Sequence, residues 1–166
     1  MEKYKIISNS SEDTLNIAKK IAGIMKKGDT IVLTGELGAG KTKFVEGFLS
    51  YYNLEDEISS PTFNIVNEYT YKDINIYHFD VYRLEDQDEF YEIGGDEYFE
   101  KGICLIEWGE TLEEVLPKDY IQIIFSKDET DENKRYLEFI SNGNTEDLMD
   151  KIGSELVEDI KHINFK

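Results

Sequence analysis

Gly35-Glu36-Leu37-Gly38-Ala39-Gly40-Lys41-Thr42 satisfies the spacing G-x-x-x-x-G-K-[ST] at every fixed position. Each position has a chemical reason. Glycines let the backbone curl until several N–H groups point inward at phosphate oxygens. Glu36, Leu37, Gly38, Ala39 and Gly40 make up that cradle, and a helix starting there adds its positive end. Lys41 brings a point charge to the β- and γ-phosphates, and the Thr42 hydroxyl is a ligand for Mg²⁺. The pattern carries weight only between a strand and a helix. Residues 30–34, with Ile31-Val32-Leu33 at their centre, read as a buried strand. Residues 41–52 read as a helix with Phe44, Val45, Phe48 and Leu49 inward.

A phosphate loop needs a second carboxylate at the end of a neighbouring buried strand to hold Mg²⁺ through water. Two acids fit. Glu107 ends Ile103-Cys104-Leu105-Ile106-Glu107, the more uniformly apolar run, as a central parallel strand should be. It is the first choice. Asp80 ends Ile76-Tyr77-His78-Phe79-Asp80 and is the alternative, or a second acid acting on the attacking water. Thr62, in Ser59-Ser60-Pro61-Thr62, stands where a nucleotide switch places a hydroxyl to sense the γ-phosphate. An ordinary turn with φ fixed by Pro61 is the competing reading. The chain has two arginines, Arg83 and Arg135. Arg83 follows Asp80 closely and could meet transition-state charge, or pair with the acids after it. So few arginines favour a slow enzyme helped by a partner over a fast autonomous phosphotransferase.

Other reactive side chains read as structural. Cys104 is mid-strand and reads as a small core residue. His78, between Tyr77 and Phe79, reads as a hydrogen-bonded structural histidine rather than a base, and His162 as solvated. Trp108 directly follows Glu107, which puts it beside the nucleotide or a partner face.

Further elements must position these groups. Residues 3–7 read as a strand. Residues 11–27 read as a helix, with Leu15, Ala18, Ile21, Ala22 and Met25 inward, acids in its first turn and Gly28 as its stop. Residues 63–71 and 74–80 read as a hairpin turning at Lys72-Asp73, and 103–108 as a buried strand. Eight carboxylates and no basic side chain occupy 85–100, where Gly94-Gly95 separates two short helices. Residues 120–125 and 136–140 read as strands. Leu148, Ile152, Leu156, Ile160 and Ile163 define a last amphipathic helix entered at Asn144 or Thr145. Strands alternating with helices around one strand–loop–helix unit mean α/β. No repeat, linker or composition break divides residues 1–166, so they read as one domain.

Composition narrows the function. The 166 residues carry 18 basic and 36 acidic side chains, a net charge of −18. Residues 1–50 are near balance at +2, and the remainder is at −20. Such a surface repels nucleic-acid phosphates, so service to an RNA or DNA process would run through a protein partner; the simpler and favoured reading is that the excess only maintains solubility. There is no apolar run long enough for a membrane span and no secretory signal pattern. One cysteine forms no internal disulfide. The expectation is a cytoplasmic protein without membrane contact.

Four blocks then coincide: Gly-Glu-Leu-Gly-Ala-Gly-Lys-Thr (35–42), Ser-Pro-Thr-Phe (60–63), Tyr-His-Phe-Asp-Val-Tyr-Arg-Leu (77–84) and Ile-Cys-Leu-Ile-Glu-Trp (103–108). In order and spacing the chain resembles the TsaE (formerly YjeE) family over residues 8–140. That family is the ATPase component of bacterial tRNA threonylcarbamoyladenosine biosynthesis. The resemblance implies a P-loop NTPase-type three-layer fold with a mixed, mainly parallel sheet and an inserted β-hairpin. It implies binding of ATP and ADP with Mg²⁺, and slow hydrolysis stimulated by the TsaD–TsaB pair. Those partners attach threonylcarbamoyl to adenosine 37 of tRNAs reading ANN codons. Hydrolysis would reset their complex between cycles, and tRNA would be met only indirectly. By position, Lys41 and Thr42 take phosphate and metal roles, Thr62 the switch role, Asp80 the catalytic-acid role, and Glu107 with Trp108 the metal side. Ser11 and Thr14 fall in the part near the base, and Arg135 approaches the nucleotide. The chain departs from the family at Lys43, where a second Thr is common, at Gly109, where Pro is frequent, and at Gly95, where the residue is usually larger.

Two other functions share the phosphate loop. A small-molecule or nucleoside kinase would need an arginine-bearing lid that two arginines hardly furnish. A non-catalytic nucleotide-gated interaction module would bind without turnover.

Overall fold

The structure is a computed structural model describing residues 3–36, 38–58, 65–80, 86–107 and 114–156, and the backbone of 163–165. One eight-stranded sheet runs through it in the order β3-β4-β5-β2-β6-β7-β1-β8. The strands are β1 (Lys3–Ser8), β2 (Thr30–Gly35), β3 (Val66–Tyr71), β4 (Ile74–Asp80), β5 (Ile103–Glu107), β6 (Tyr120–Lys127), β7 (Arg135–Asn142) and β8 (Ile163–Phe165). The central four, β4, β5, β2 and β6, are mutually parallel. β3 is joined to β4 as an antiparallel hairpin on one side, and β7, β1 and β8 add antiparallel pairs on the other. Five of the eight strands thus share one direction, giving the expected mixed α/β architecture.

The hydrophobic pattern explains the layering. β2 and β5 are apolar at nearly every position, and four consecutive residues of each are buried. They feed two apolar layers because successive side chains leave opposite faces. On one face α1 (Ser11–Ala22), α2 (Lys41–Ser50) and α4 (Glu146–Leu156) pack on Ile31, Leu33, Leu105 and Ile123. On the other, Val32, Tyr77, Phe79, Cys104 and Ile106 meet Phe90 of α3 (Gln87–Glu92), with Tyr98 and Phe99 of the following 3-10 segment, Gly95–Glu100, against them. Gly95 is required there: a Cβ would lie 2.5 Å from the Phe90 ring. Among the described residues no helix is long and apolar enough to cross a membrane.

Two helix ends and one strand differ most from the sequence expectation. The first helix ends at Ala22 rather than near Lys27. Gly23 is a poor helix former, and Ile21 O accepts from both Ile24 N and Met25 N, tightening the end into a turn. Met25 still reaches the core at 6 % exposure, which is why the apolar spacing ran past the helix. The second helix stops at Ser50, and Asn53, at φ 59, takes the left-handed conformation that ends the following turn. The last helix is described from Glu146 to Leu156, and Ile160 lies outside the described residues. Ile163, read as its continuation, instead belongs to β8, antiparallel to β1.

Candidate functional site

The loop between β2 and α2 lies at the carboxyl ends of the parallel strands, where open α/β sheets bind ligands. Gly35, Gly38 and Gly40 have φ of 129°, 78° and 110°, which side-chain-bearing residues rarely adopt. Space forbids a side chain at Gly35 as well, since a Cβ would sit 2.1 Å from the Phe125 carbonyl oxygen. Phe125 underlies the loop and packs edge-on against Phe44, ring centres 5.8 Å apart. Lys41 is 9 % exposed, and its Nζ donates to Gly35 O at 2.8 Å. The amine is therefore curled back over the loop it would serve.

The start of α2 differs from those of α1 and α3. Ser10 Oγ accepts from Asp13 N at 3.1 Å and caps α1, which has Glu12 and Asp13 in its first turn. Asp86 caps α3 through Glu89 N. At α2 the N-cap is Gly40, no side chain caps the helix, and the first turn holds no acid. An uncapped helix start behind a left-handed glycine loop is an anion site by geometry and by dipole.

Facing it, β4 and β5 run parallel with Asp80 opposite Glu107, and β2 sets Leu33 beside Glu107. Gly35, Gly38, Gly40, Lys41, Thr42, Lys43, Asp80 and Glu107 line one cleft of about 480 Å³. Glu107 Oε2 lies 2.9 Å from His78 Nε2. A hydroxyl and two carboxylates over a phosphate cradle are hard-oxygen donors with room left for water and phosphate, a set that suits Mg²⁺. Among the described residues no group of three or more His, Cys, Asp or Glu converges to hold a metal.

A second cavity, about 90 Å³, opens on the other side of the loop between Ser10, Ser11, Thr14, Gly38, Gly40, Lys43, Asn133 and Arg135. Thr14 is 2 % exposed, and its hydroxyl shares a 2.7 Å hydrogen bond with Ser8 Oγ. Arg135 starts β7 and donates from Nη1 to Glu132 O and Lys134 O. The turn before it is ordered by Asp128, which accepts from Tyr136 Oη, Thr130 N and Oγ1, and Asp131 N. These bonds, led by the Tyr136 hydroxyl, hold the Asp128 carboxyl well below the usual carboxylate range.

The structure thus gathers Glu36, Gly38, Ala39, Gly40, Lys41, Thr42, Asp80 and Glu107 at one loop, and Ser11, Thr14 and Arg135 beside it. Leu37, Thr62, Arg83 and Trp108 lie outside the described residues. Two neighbours were missed from sequence. Lys127, at the end of β6, has its Nζ 3.3 Å from where a Cβ of Gly38 would stand. Asn133 lines the smaller cavity. Lys127 is the last residue of β6 and Asn133 lies in the turn before β7, between the strands read at 120–125 and 136–140. The signal for Lys127 was a lysine ending a strand beside the phosphate-loop strand.

A glycine cradle and helix start facing two acids at the ends of parallel strands define a P-loop NTPase-type protein. A family profile described as "Threonylcarbamoyl adenosine biosynthesis protein TsaE" matches residues 8–137. The chain belongs to the TsaE family. It is 40 % identical over 150 residues to the tRNA threonylcarbamoyladenosine biosynthesis protein TsaE of Bacillus subtilis, covering 90 % of this chain and 92 % of that one. It is 37 % identical over 146 residues to the protein of that name from Rickettsia felis, covering 87 % and 84 %. The crystal structure of Bacillus subtilis YdiB superposes with a TM-score of 0.75 at 36 % identity, covering 93 % of this chain and 97 % of that one.

Proposed function

We propose that this protein is a cytoplasmic Mg²⁺-dependent ATPase of tRNA threonylcarbamoyladenosine biosynthesis, converting ATP and water to ADP and phosphate slowly until its TsaD–TsaB partners stimulate it. The observation that carries the reading is the uncapped, acid-free start of α2 behind three left-handed glycines, with Lys41 over the loop and Asp80 and Glu107 across from it. Family membership supplies the pathway.

Each residue has a task. Backbone N–H groups of the glycine loop and the first turn of α2 would hold the phosphates. Lys41 exchanges its bond to Gly35 O for a phosphate oxygen, a stronger acceptor because it is charged. Thr42 Oγ1 and, through water, Glu107 and Asp80 would hold Mg²⁺, whose charge draws electron density from the phosphoryl group. Asp80, opposite Glu107, accepts a hydrogen bond from the attacking water and orients it. Thr62 senses the γ-phosphate. Ser11, Thr14, Asn133 and Arg135 surround the base. Arg83 and Trp108 would take the partner or switch role. The −18 charge suits a protein that reaches tRNA only through those partners.

The test is phosphate release from MgATP, by the chain alone and with purified TsaD–TsaB, with Lys41→Ala as the blank. Slow release that rises with the partners and vanishes in Lys41→Ala is expected. Binding without release in both conditions would overturn the hydrolysis reading.

A further inference from the structure

His78 has no task in the scheme above, yet its ring contacts one member of the acid pair. It lies two residues before Asp80 on β4, so both side chains leave the same face of that strand. In the parallel register His78 pairs with Leu105 and Asp80 with Glu107. That face is the one under α2, since Ile76 and Leu105 on it belong to the core beneath that helix. Glu107 therefore has His78 as its diagonal neighbour, and the 2.9 Å contact follows. The two side chains are 14 % and 15 % exposed, so water competes poorly for the bond. Carboxylate oxygens accept, so the hydrogen lies on Nε2 and the imidazole donates. His78 does not line the cleft. With Nε2 committed to Glu107, it is placed to orient a carboxylate and not to take a proton from a cleft water.

We infer that His78 is a positioning residue: it ties one oxygen of Glu107 so that the other faces the metal-side water of a bound nucleotide. The inference rests on the MgATP site proposed above. Strand-end carboxylates are otherwise free to rotate, and partners of this kind commonly govern metal affinity by about 10–100-fold.

The experiment compares wild type, His78→Leu and His78→Gln by titrating a fluorescent ADP analogue with and without Mg²⁺, and by the Mg²⁺ concentration that half-saturates turnover. Gln keeps an amide donor near the place of Nε2, and Leu removes it. In His78→Leu the affinity without metal should stay within about twofold, while the gain on adding Mg²⁺ is lost. Its half-saturating Mg²⁺ should rise by about tenfold or more. His78→Gln should recover most of both. Thermal melts of the three proteins show whether each is folded. If His78→Leu and His78→Gln behave alike, or if His78→Leu weakens binding equally with and without Mg²⁺, His78 only packs and the inference is overturned. A wild-type protein that binds the nucleotide but ignores Mg²⁺ overturns the metal site and this inference together. One that does not bind the nucleotide overturns the proposed function itself.

Discussion

Gly47 tests how the two sides of the loop are held together. It lies in the middle of α2, where α1 crosses, and a Cβ there would meet Leu15 O at 2.4 Å, Leu15 Cα at 2.7 Å and Leu15 C at 2.9 Å. Two effects oppose each other in Gly47→Ala. Alanine is the better helix former by about 1 kcal/mol. Forcing a methyl group into a packed interface costs about 1–3 kcal/mol, and here the upper end applies, because all three contacts are backbone that cannot rotate away. The difference is a net loss of about 2 kcal/mol. A chain of this size loses roughly 2–4 °C of Tm per kcal/mol, so the melting temperature should fall by about 4–8 °C. Relief requires α1 to move away from α2 by about 1 Å, the gap between 2.4 Å and an ordinary contact of about 3.4 Å. Ser11 and Thr14 would move with it, away from Gly38 and Gly40. Nucleotide affinity should therefore weaken in folded Gly47→Ala protein at temperatures well below its melt. Thermal unfolding by circular dichroism and a fluorescent-nucleotide titration read the two effects. A variant as stable as wild type would refute the crossing geometry. One that melts low but binds normally would refute the coupling of α1 to the loop.

Asp80→Asn should abolish phosphate release while leaving nucleotide affinity within a few fold, and Glu107→Gln should lower release and raise the Mg²⁺ requirement; turnover that survives both changes would disprove the acid assignments. Cys104 is fully buried, and burial pushes its thiol up to about 12, so alkylating reagents at pH 8 should label it only after unfolding, as mass spectrometry would show. Asp128 has its carboxyl held low in the folded state, so its contribution to stability is present above the unfolded value of about 4 and is lost as pH falls below it. Asp128→Asn should therefore be less stable than wild type at pH 7, with the gap closing below pH 4 in urea titrations.

The legible features were local ones. The phosphate loop announces itself because glycine, lysine and threonine stand at the four fixed positions of an eight-residue pattern, and the apolar runs at 31–33 and 103–106 place it on a buried strand. The hairpin at Lys72-Asp73 was legible for the same reason, and Lys72 does turn with φ 56°. What escaped depended on register between distant strands. The bond from His78 to Glu107 exists only because β4 and β5 align in parallel, and that offset is written nowhere in either strand. Lys127 reaches Gly38 because β6 is the neighbour of β2, a choice made by the whole sheet. Ile163 kept helical spacing with Leu156, yet β1 offered it an open edge to pair with. Gly95 read as an unexplained departure until Phe90 occupied its space.

The order of strands in the sheet also sets an order in time. β2, which carries the phosphate loop, finds its neighbours only in β5 and β6, so Thr30 pairs with Cys104 and Ile31 with Ile121. β1 waits longer, since Lys3 pairs with Ile140. At a synthesis rate of about 5–20 residues per second, the first strand is exposed for roughly 6–25 s before its partner exists. Pairings this distant close slowly. The loop leaves the ribosome well before both strands that flank β2, so an incomplete chain holds the motif without the site.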